Sequence, residues 1–406
     1  MTSERPKILV VSPKYFPVEE GLGHYTTEFC RHLAKVGRVA VWTSRSRGSV
    51  GKASGHPPGD VEVIDNVDSW SGVGPFIALR RALALDPDAI VLEFVPFMYS
   101  ARGGINFSIV GLAFLLGARS RVLGRGKLQI MFHELWYPFS WRPKDAVMHL
   151  AHRAMVFGVS LAAEERFSAT SRFADLVRRN LGPFQRAVSV LAVGSNLERE
   201  RPADAKSNAM TTRPDDELRV CLFGSAHPSK RLPMVLRAIH DGAQRSRFRV
   251  RLTMIGMTKS EILAEAGDLA AWVESNVEVT GPLEASDAAD RLGEQDFLVS
   301  YFQDGVSGRR GSLLAALCEG LPVVTTWHQT SDEEFRGHEF IKLLSCDEAE
   351  FAQELAALFD TPERPFSRVA RGDVRAFYRR HFSWSAIVER YAELSGLAHE
   401  PSRPSP

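Results

Sequence analysis

Phe297–Tyr301 reads FLVSY, and the chain continues through DGVSGRRGS (Asp304–Ser312), LLAAL (Leu313–Leu317) and GLPVVTT (Gly320–Thr326). These pieces spell strand, glycine-rich loop, helix, strand. Short apolar runs without alternation are the mark of strands buried on both faces of a parallel sheet. Because the loop opens a helix, the amides of Gly311 and Ser312 are expected as that helix's free N-terminal donors. Arg309 and Arg310 add forked donors suited to a diphosphate. One of the two could instead pair with Asp304.

The same rhythm extends outward from this stretch. Before it come strands at RVCLF (Arg219–Phe223), VRLTMI (Val250–Ile255) and Val277–Thr280, with helices expected over 231–244, 260–273 and 284–293. The N-terminal half repeats the pattern. Its strands are ILVVS (Ile8–Ser12), RVAVWT (Arg38–Thr43), AIVLEF (Ala89–Phe94) and LQIMF (Leu128–Phe132), then 166–170 and 187–192. Helices are expected near 76–85 and 107–117, and over 144–161 and 172–180. Alternating strand and helix is the pattern of a doubly wound parallel sheet. Residues 198–218 are charged, contain proline and interrupt the alternation, as a linker would. The last 60 residues read as helical, with Pro401–Pro406 a loose tail. The expected division is 1–200, 201–380, and a closing helix with tail over 381–406 that returns toward the first domain.

The bulk properties agree with two soluble domains. A chain of 406 residues exceeds what one core usually holds, and 44% apolar with 24% charged residues is an ordinary globular composition. A net charge of +1 argues against a general nucleic-acid binder. The charge is uneven, however. Residues 1–200 carry 25 Lys plus Arg against 18 Asp plus Glu, and residues 201–406 carry 25 against 31. Cys30, Cys221, Cys318 and Cys346 are scattered, which fits a reduced cytoplasmic protein and no disulfide framework or zinc module. The polar start MTSERP does not resemble a signal peptide. The apolar run IVGLAFLL (Ile109–Leu116) is too short to cross a bilayer. It reads either as a buried helix or as a shallow contact with the inner face of a membrane, since Arg119, Arg121, Arg125 and Lys127 follow it.

In doubly wound sheets ligands bind beyond the carboxyl ends of the strands, so the segments that follow strands supply the candidates. After the first strand, Gly21 and Gly23 could let backbone amides approach an anion, although no third glycine completes a dinucleotide fingerprint. After LQIMF comes His133-Glu134-Leu135-Trp136-Tyr137. Tyr137 rules out a zinc HExxH. His133 could still donate to a sugar hydroxyl or act as a base, and Glu134 and Trp136 could face an acceptor. After RVCLF comes Gly224-Ser225-Ala226-His227-Pro228-Ser229-Lys230. Its spacing is not that of a Walker A loop, but Lys230 offers a compact charge for a phosphate.

Five segments in order resemble a GT-B glycosyltransferase of retaining family 4: ILVVSPKYFPVEEGLGHYTTEFCRHLAKVG, SATSRFADLVRRN with VLAVGSN, FGSAHPSKRLPMVLRAI, RRGSLLAALCEGLPVVTT and FSWSAIVERYAELSG. The resemblance implies an α/β fold of two Rossmann-like domains with a cleft between them, the first facing the acceptor and the second binding the nucleotide sugar. It implies transfer of a sugar from a nucleoside-diphosphate donor (a UDP- or GDP-sugar first) to a glycan, lipid-linked or metabolite hydroxyl, with no cofactor and no metal. His133 takes the place of the histidine that touches the donor sugar. Lys230 takes that of the phosphate-binding lysine, with Arg309, Arg310, Gly311, Ser312, Gly21 and Gly23 completing the cradle. Three positions depart from the family pattern. Ser225 stands where the family has a phosphate-binding arginine. Ser307 and Ala315 stand where it has two glutamates, and Asp304 is the expected substitute for the first. Two alternatives share the fold: a nucleotide- or partner-binding protein without turnover, and a sugar-nucleotide epimerase.

Overall fold

The computed structural model describes residues 5–17, 21–45, 60–100, 103–184, 186–198, 214–225 and 227–397. The chain forms two compact units, one of residues 1–193 with 384–406 and one of residues 194–383. Most of the linker expected over 198–218 lies outside the described residues, and Glu217 and Leu218 already belong to a strand.

In the first unit the elements run β1 (Lys7–Val11), α1 (Gly21–Leu33), β2 (Arg38–Ser44), β3 (Val61–Val67), α2 (Gly74–Ala82), β4 (Ala89–Phe94), α3 (Ser108–Leu123), β5 (Lys127–Phe132), α4 (Pro143–Ala162), β6 (Glu165–Ser168), α5 (Ser171–Leu181) and β7 (Ser189–Val190). The strands form one sheet in the order β3-β2-β1-β4-β5-β6-β7, every pair parallel. Strand side chains alternate between faces, and the two faces bury different helices. Leu9, Val11, Ile90 and Leu92 pack under α2, α3, α4 and α5. Ile8, Val10, Val91 and Met131 pack under α1 and the chain's last helix. Thr170 caps α5, accepting from the Phe173 amide at 3.1 Å.

In the second unit β8 (Glu217–Phe223), α6 (Leu232–Arg245), β9 (Arg249–Ile255), α7 (Lys259–Ala266), α8 (Ala270–Asn276), β10 (Val277–Gly281), α9 (Ala285–Gly293), β11 (Phe297–Ser300), α10 (Gly311–Cys318), β12 (Val323–Trp327), β13 (Ile341–Ser345), α11 (Glu348–Phe359) and α12 (Arg371–His381) follow one another. The sheet order is β10-β9-β8-β11-β12-β13, again parallel throughout. The helix expected over 260–273 is two helices, because Gly267 takes a left-handed φ of 56° and ends the first. After α12 the chain passes to α13 (Trp384–Ser395), which belongs to the first unit. There Trp384 meets Tyr25 with ring centroids 5.4 Å apart, and the Tyr391 hydroxyl donates to Gln129 Oε1 at 2.5 Å.

Candidate functional site

The second sheet reverses its winding between β8 and β11. Strands β9 and β10 build out to one side and β12 and β13 to the other. Such a switch point leaves a crevice beyond the strands' carboxyl ends. A small pocket opens there, with Phe223, Met257, Ser300, Phe302, Lys230 and Ser312 among its walls. It lies entirely within the second unit.

Lys230 is the cation of this cavity. It ends a single helical turn, Pro228–Lys230, whose start is capped by His227 accepting from the Ser229 amide at 3.2 Å. The Lys230 ammonium donates to the Ser225 carbonyl at 2.8 Å and to the Phe223 carbonyl at 3.3 Å. No carboxylate pairs with it among the described residues. Its neighbour Arg231 is committed elsewhere, to Glu348 at 2.7 Å. Burial pushes the Lys230 ammonium down from its ordinary value to about 8. Gly224 makes the arrangement possible. Its φ is 101°, and a Cβ there would stand 2.9 Å from the Lys230 Nζ. Any larger residue would both strain the backbone and displace the ammonium. Ser225 contributes its carbonyl to holding Lys230.

The loop from β11 to α10 is built differently from the sequence expectation. Arg310 pairs with Asp304 and lies over the Phe302 ring, 4.4 Å from its centroid. The pairing left open by the sequence is therefore the one adopted, and both charges are committed to each other. The Gly311 amide donates back to the Arg309 carbonyl at 3.1 Å, so it is not an open helix donor. Turn formation has taken the group that the helix start would have exposed. Ser312 does face the cavity, and Arg309 is half-buried beside it in sequence. The rest of the loop is clamped from the next crossover. The Gly308 amide donates to Asp332 at 2.8 Å, Val306 donates to the Thr326 carbonyl at 3.0 Å, and Thr330 donates to the Asp304 carbonyl at 3.0 Å. Ser307 and Ala315, at the places of the family's two glutamates, are both buried.

In the first unit His133 follows β5, and its backbone amide reaches the Phe94 carbonyl at the end of β4. Its Nε2–H donates to Glu93 Oε2 at 2.5 Å, and the Tyr25 ring meets it edge-on at 4.4 Å. Glu93 is 0% exposed within β4. Burial first, and the Glu93 charge second, push the Tyr25, Cys30 and Tyr99 groups well above their ordinary values. Glu93 is not among the residues the sequence singles out. The available signal was a lone carboxylate inside the otherwise apolar run AIVLEF. Glu134 is half-buried. Trp136 is packed against the core, with the Arg153 guanidinium 5.4 Å from its ring centroid. The glycines expected in the loop before α1 are instead its first turn. Gly21 begins the helix with open space where a Cβ would go, and Gly23 is buried inside it. Gly21 therefore carries no sign of a close backbone approach.

Among the described residues no group of three or more His, Cys, Asp or Glu converges as metal ligands, and no helix is long and apolar enough to cross a membrane.

With this geometry in place, the comparisons with known proteins are specific about the second unit and broad about the whole. Residues 217–361, from β8 to just past α11, match the family model described as glycosyl transferases group 1. Over the full chain the structure is similar to HepE from Anabaena, solved in complex with UDP and glucose, at 14% identity and a TM-score of 0.62 over 97% of this chain and 100% of that one. It is similar to sucrose-phosphate synthase from Thermosynechococcus elongatus at 14% identity and a TM-score of 0.65, over 97% of this chain and 98% of that one. A glycosyltransferase from Rickettsia africae aligns at 11% identity and a TM-score of 0.69, over 97% and 98%. Among curated proteins none matches the chain. At these identities the likeness shows architecture: two parallel-sheet α/β units of the GT-B fold.

Proposed function

We propose that the chain is a glycosyltransferase that moves a sugar from a nucleoside-diphosphate donor to an acceptor hydroxyl, with retention of configuration at the transferred carbon. The observation that carries this reading is Lys230: an ammonium at the switch-point cavity, held by carbonyls alone and lacking a counter-ion among the described residues. A half-buried cation without its own carboxylate is best satisfied by an anionic ligand. The leaving diphosphate of a sugar donor supplies that anion, and its charge grows as the glycosidic bond breaks. A positive group fixed in advance stabilises that growth without reorganising. Ser312 adds a hydroxyl on the same cavity. His133, which the resemblance assigns to the donor sugar, belongs to the other unit and is tested separately through its partner, by Glu93→Gln. UDP, the nucleotide bound by HepE, is the first donor base to try.

The test is a thermal-shift screen with UDP, GDP, ADP, CDP and dTDP on the wild type and on Lys230→Met. A ligand at 100 times its dissociation constant adds about 2.7 kcal/mol of stability, enough to move the melting temperature visibly. The reading requires that at least one diphosphate raises the wild-type melting temperature and does not raise that of the variant. No shift with any diphosphate removes it. A second reading, nucleotide binding without turnover, is favoured by the burial of Ser307 and Ala315 where the family carries two carboxylates. Incubation with the matching nucleotide sugar separates the two, since only a transferase releases free diphosphate.

A further inference from the structure

The described residues that expose a large apolar side chain all lie in the first unit, and most fall between positions 73 and 150. They are not scattered. Helices α2, α3 and α4 share one core beneath them, against the same face of the sheet. A Cβ at Gly111 of α3 would touch the Phe76 ring of α2, and one at Gly158 of α4 would meet Val110 of α3. The three helices therefore form a continuous layer, and its outer surface is apolar. On α3 and its N-cap Phe107 the outward positions are Phe107, Gly111, Phe114, Leu115, Ala118 and Val122, all exposed and recurring once per turn on one face. The inward face of α3, with Ile109, Leu112 and Leu116, is fully buried. A helix apolar on both faces ordinarily needs cover on both. Ile77 on α2 is 76% exposed, Leu150 on α4 is 62% exposed, and Trp141, just before α4, is 91% exposed.

The exposed charges of these three helices are predominantly positive, and the nearby Asp86 is already paired with Arg119 and Arg125. Helices α2 and α3 contain no acidic residue, and the one on α4, Asp145, accepts from the Ser140 hydroxyl at 2.6 Å. Arg80, Arg81, Arg121, Arg142, Lys144 and Arg153 are exposed along the layer, and none pairs with a carboxylate among the described residues. A second copy of the chain meeting this face would set cation against cation, which disfavours self-association. An anionic bilayer complements both features. Apolar side chains and an interfacial tryptophan enter the headgroup boundary while the flanking arginines and lysine meet lipid phosphates. With no helix able to span, the contact would be peripheral. We propose that the outer surface of α2, α3 and α4 is a docking surface for an anionic lipid bilayer. This inference stands apart from the transferase reading and uses none of its residues.

The experiment is co-sedimentation of the full chain with vesicles of phosphatidylcholine alone and of phosphatidylcholine mixed with phosphatidylglycerol, at low and high salt. The expected result is pelleting with the mixed vesicles, weakened by salt, and a blue shift of tryptophan emission that Trp141→Ser reduces. Ile77→Ser, Phe114→Ser and Leu150→Ser combined should lower vesicle partition at least about tenfold. Arg80→Glu, Arg81→Glu and Lys144→Glu combined should lose the preference for anionic lipid. All six side chains are exposed, so unchanged melting by circular dichroism shows that these variants fold. Failure of the wild type to pellet with the mixed vesicles at low salt overturns the proposal. So does concentration-dependent self-association that the apolar triple variant abolishes without any vesicle binding.

Discussion

Lys230 concentrates the chemistry of the second unit in one ammonium. Its depressed value of about 8, caused by burial, has consequences of opposite sign for ligand and for fold. An anion needs the charged form, so affinity for a nucleoside diphosphate should be full below about pH 8. It should then fall by up to about tenfold per pH unit above that, as the free protein loses the proton. Calorimetric titration across this range checks it, and Lys230→Met should remove the slope along with the affinity. The ligand-free protein should instead gain stability from pH 8 toward 10.5, where the unfolded chain still holds the proton that the folded one has released. Arg310 contrasts with Lys230 because Asp304 already neutralises it. Arg310→Ala should therefore weaken diphosphate binding less than Lys230→Met does, a ranking read directly from the two dissociation constants. In the first unit the Glu93 carboxylate holds the protonated Nε2 of His133 and so sets which ring nitrogen carries the proton. Glu93→Gln should change the His133 nitrogen NMR shifts and slow transfer by about tenfold or more at unchanged donor KM. Unaltered transfer by a folded variant would leave the pair a structural role only.

The glycine-rich loop before α10 was legible as a loop because glycine and serine dominate it, and as a helix start because LLAAL follows. Its internal bonding was not legible. Whether the Gly311 amide faces a ligand or closes a turn depends on backbone angles that the sequence does not state. Gly305 shows how tightly the loop is held. At φ 77°, a Cβ there would collide with the Ser331 hydroxyl and come within 2.8 Å of the His328 amide. Gly305→Ala should cost about 2–4 kcal/mol, combining left-handed strain with overpacking. Chemical denaturation measures it. The outer strands β3 and β13 escaped the sequence reading for a related reason. A strand at or near the sheet's edge exposes part of its length, so Glu62, Asp65 and Lys342 interrupt the apolar run that identifies a central strand. The central strands β1, β4, β8 and β11 were all recognisable from their unbroken apolar character.

Across the molecule the chain's last helix completes the first unit, although it follows the whole of the second. Trp384 and Tyr391 are both fully buried there. Ending the chain at Ser383 should leave the second unit's protection against hydrogen exchange intact and lower that of β1 and α1. Trp384→Ala alone should cost the first unit about 3–5 kcal/mol. Two parallel sheets, the central strands, the glycine-rich loops and Lys230 as a phosphate candidate were all readable from residue order, because apolar run length and glycine placement are local properties. The pairing of Arg310 with Asp304, the burial of Glu93 against His133, the capture of the Gly311 amide and the common outward face of α2, α3 and α4 were not. Each depends on groups brought together by folding, and a charge or an apolar side chain acquires its partner, or lacks one, only once the packing around it exists.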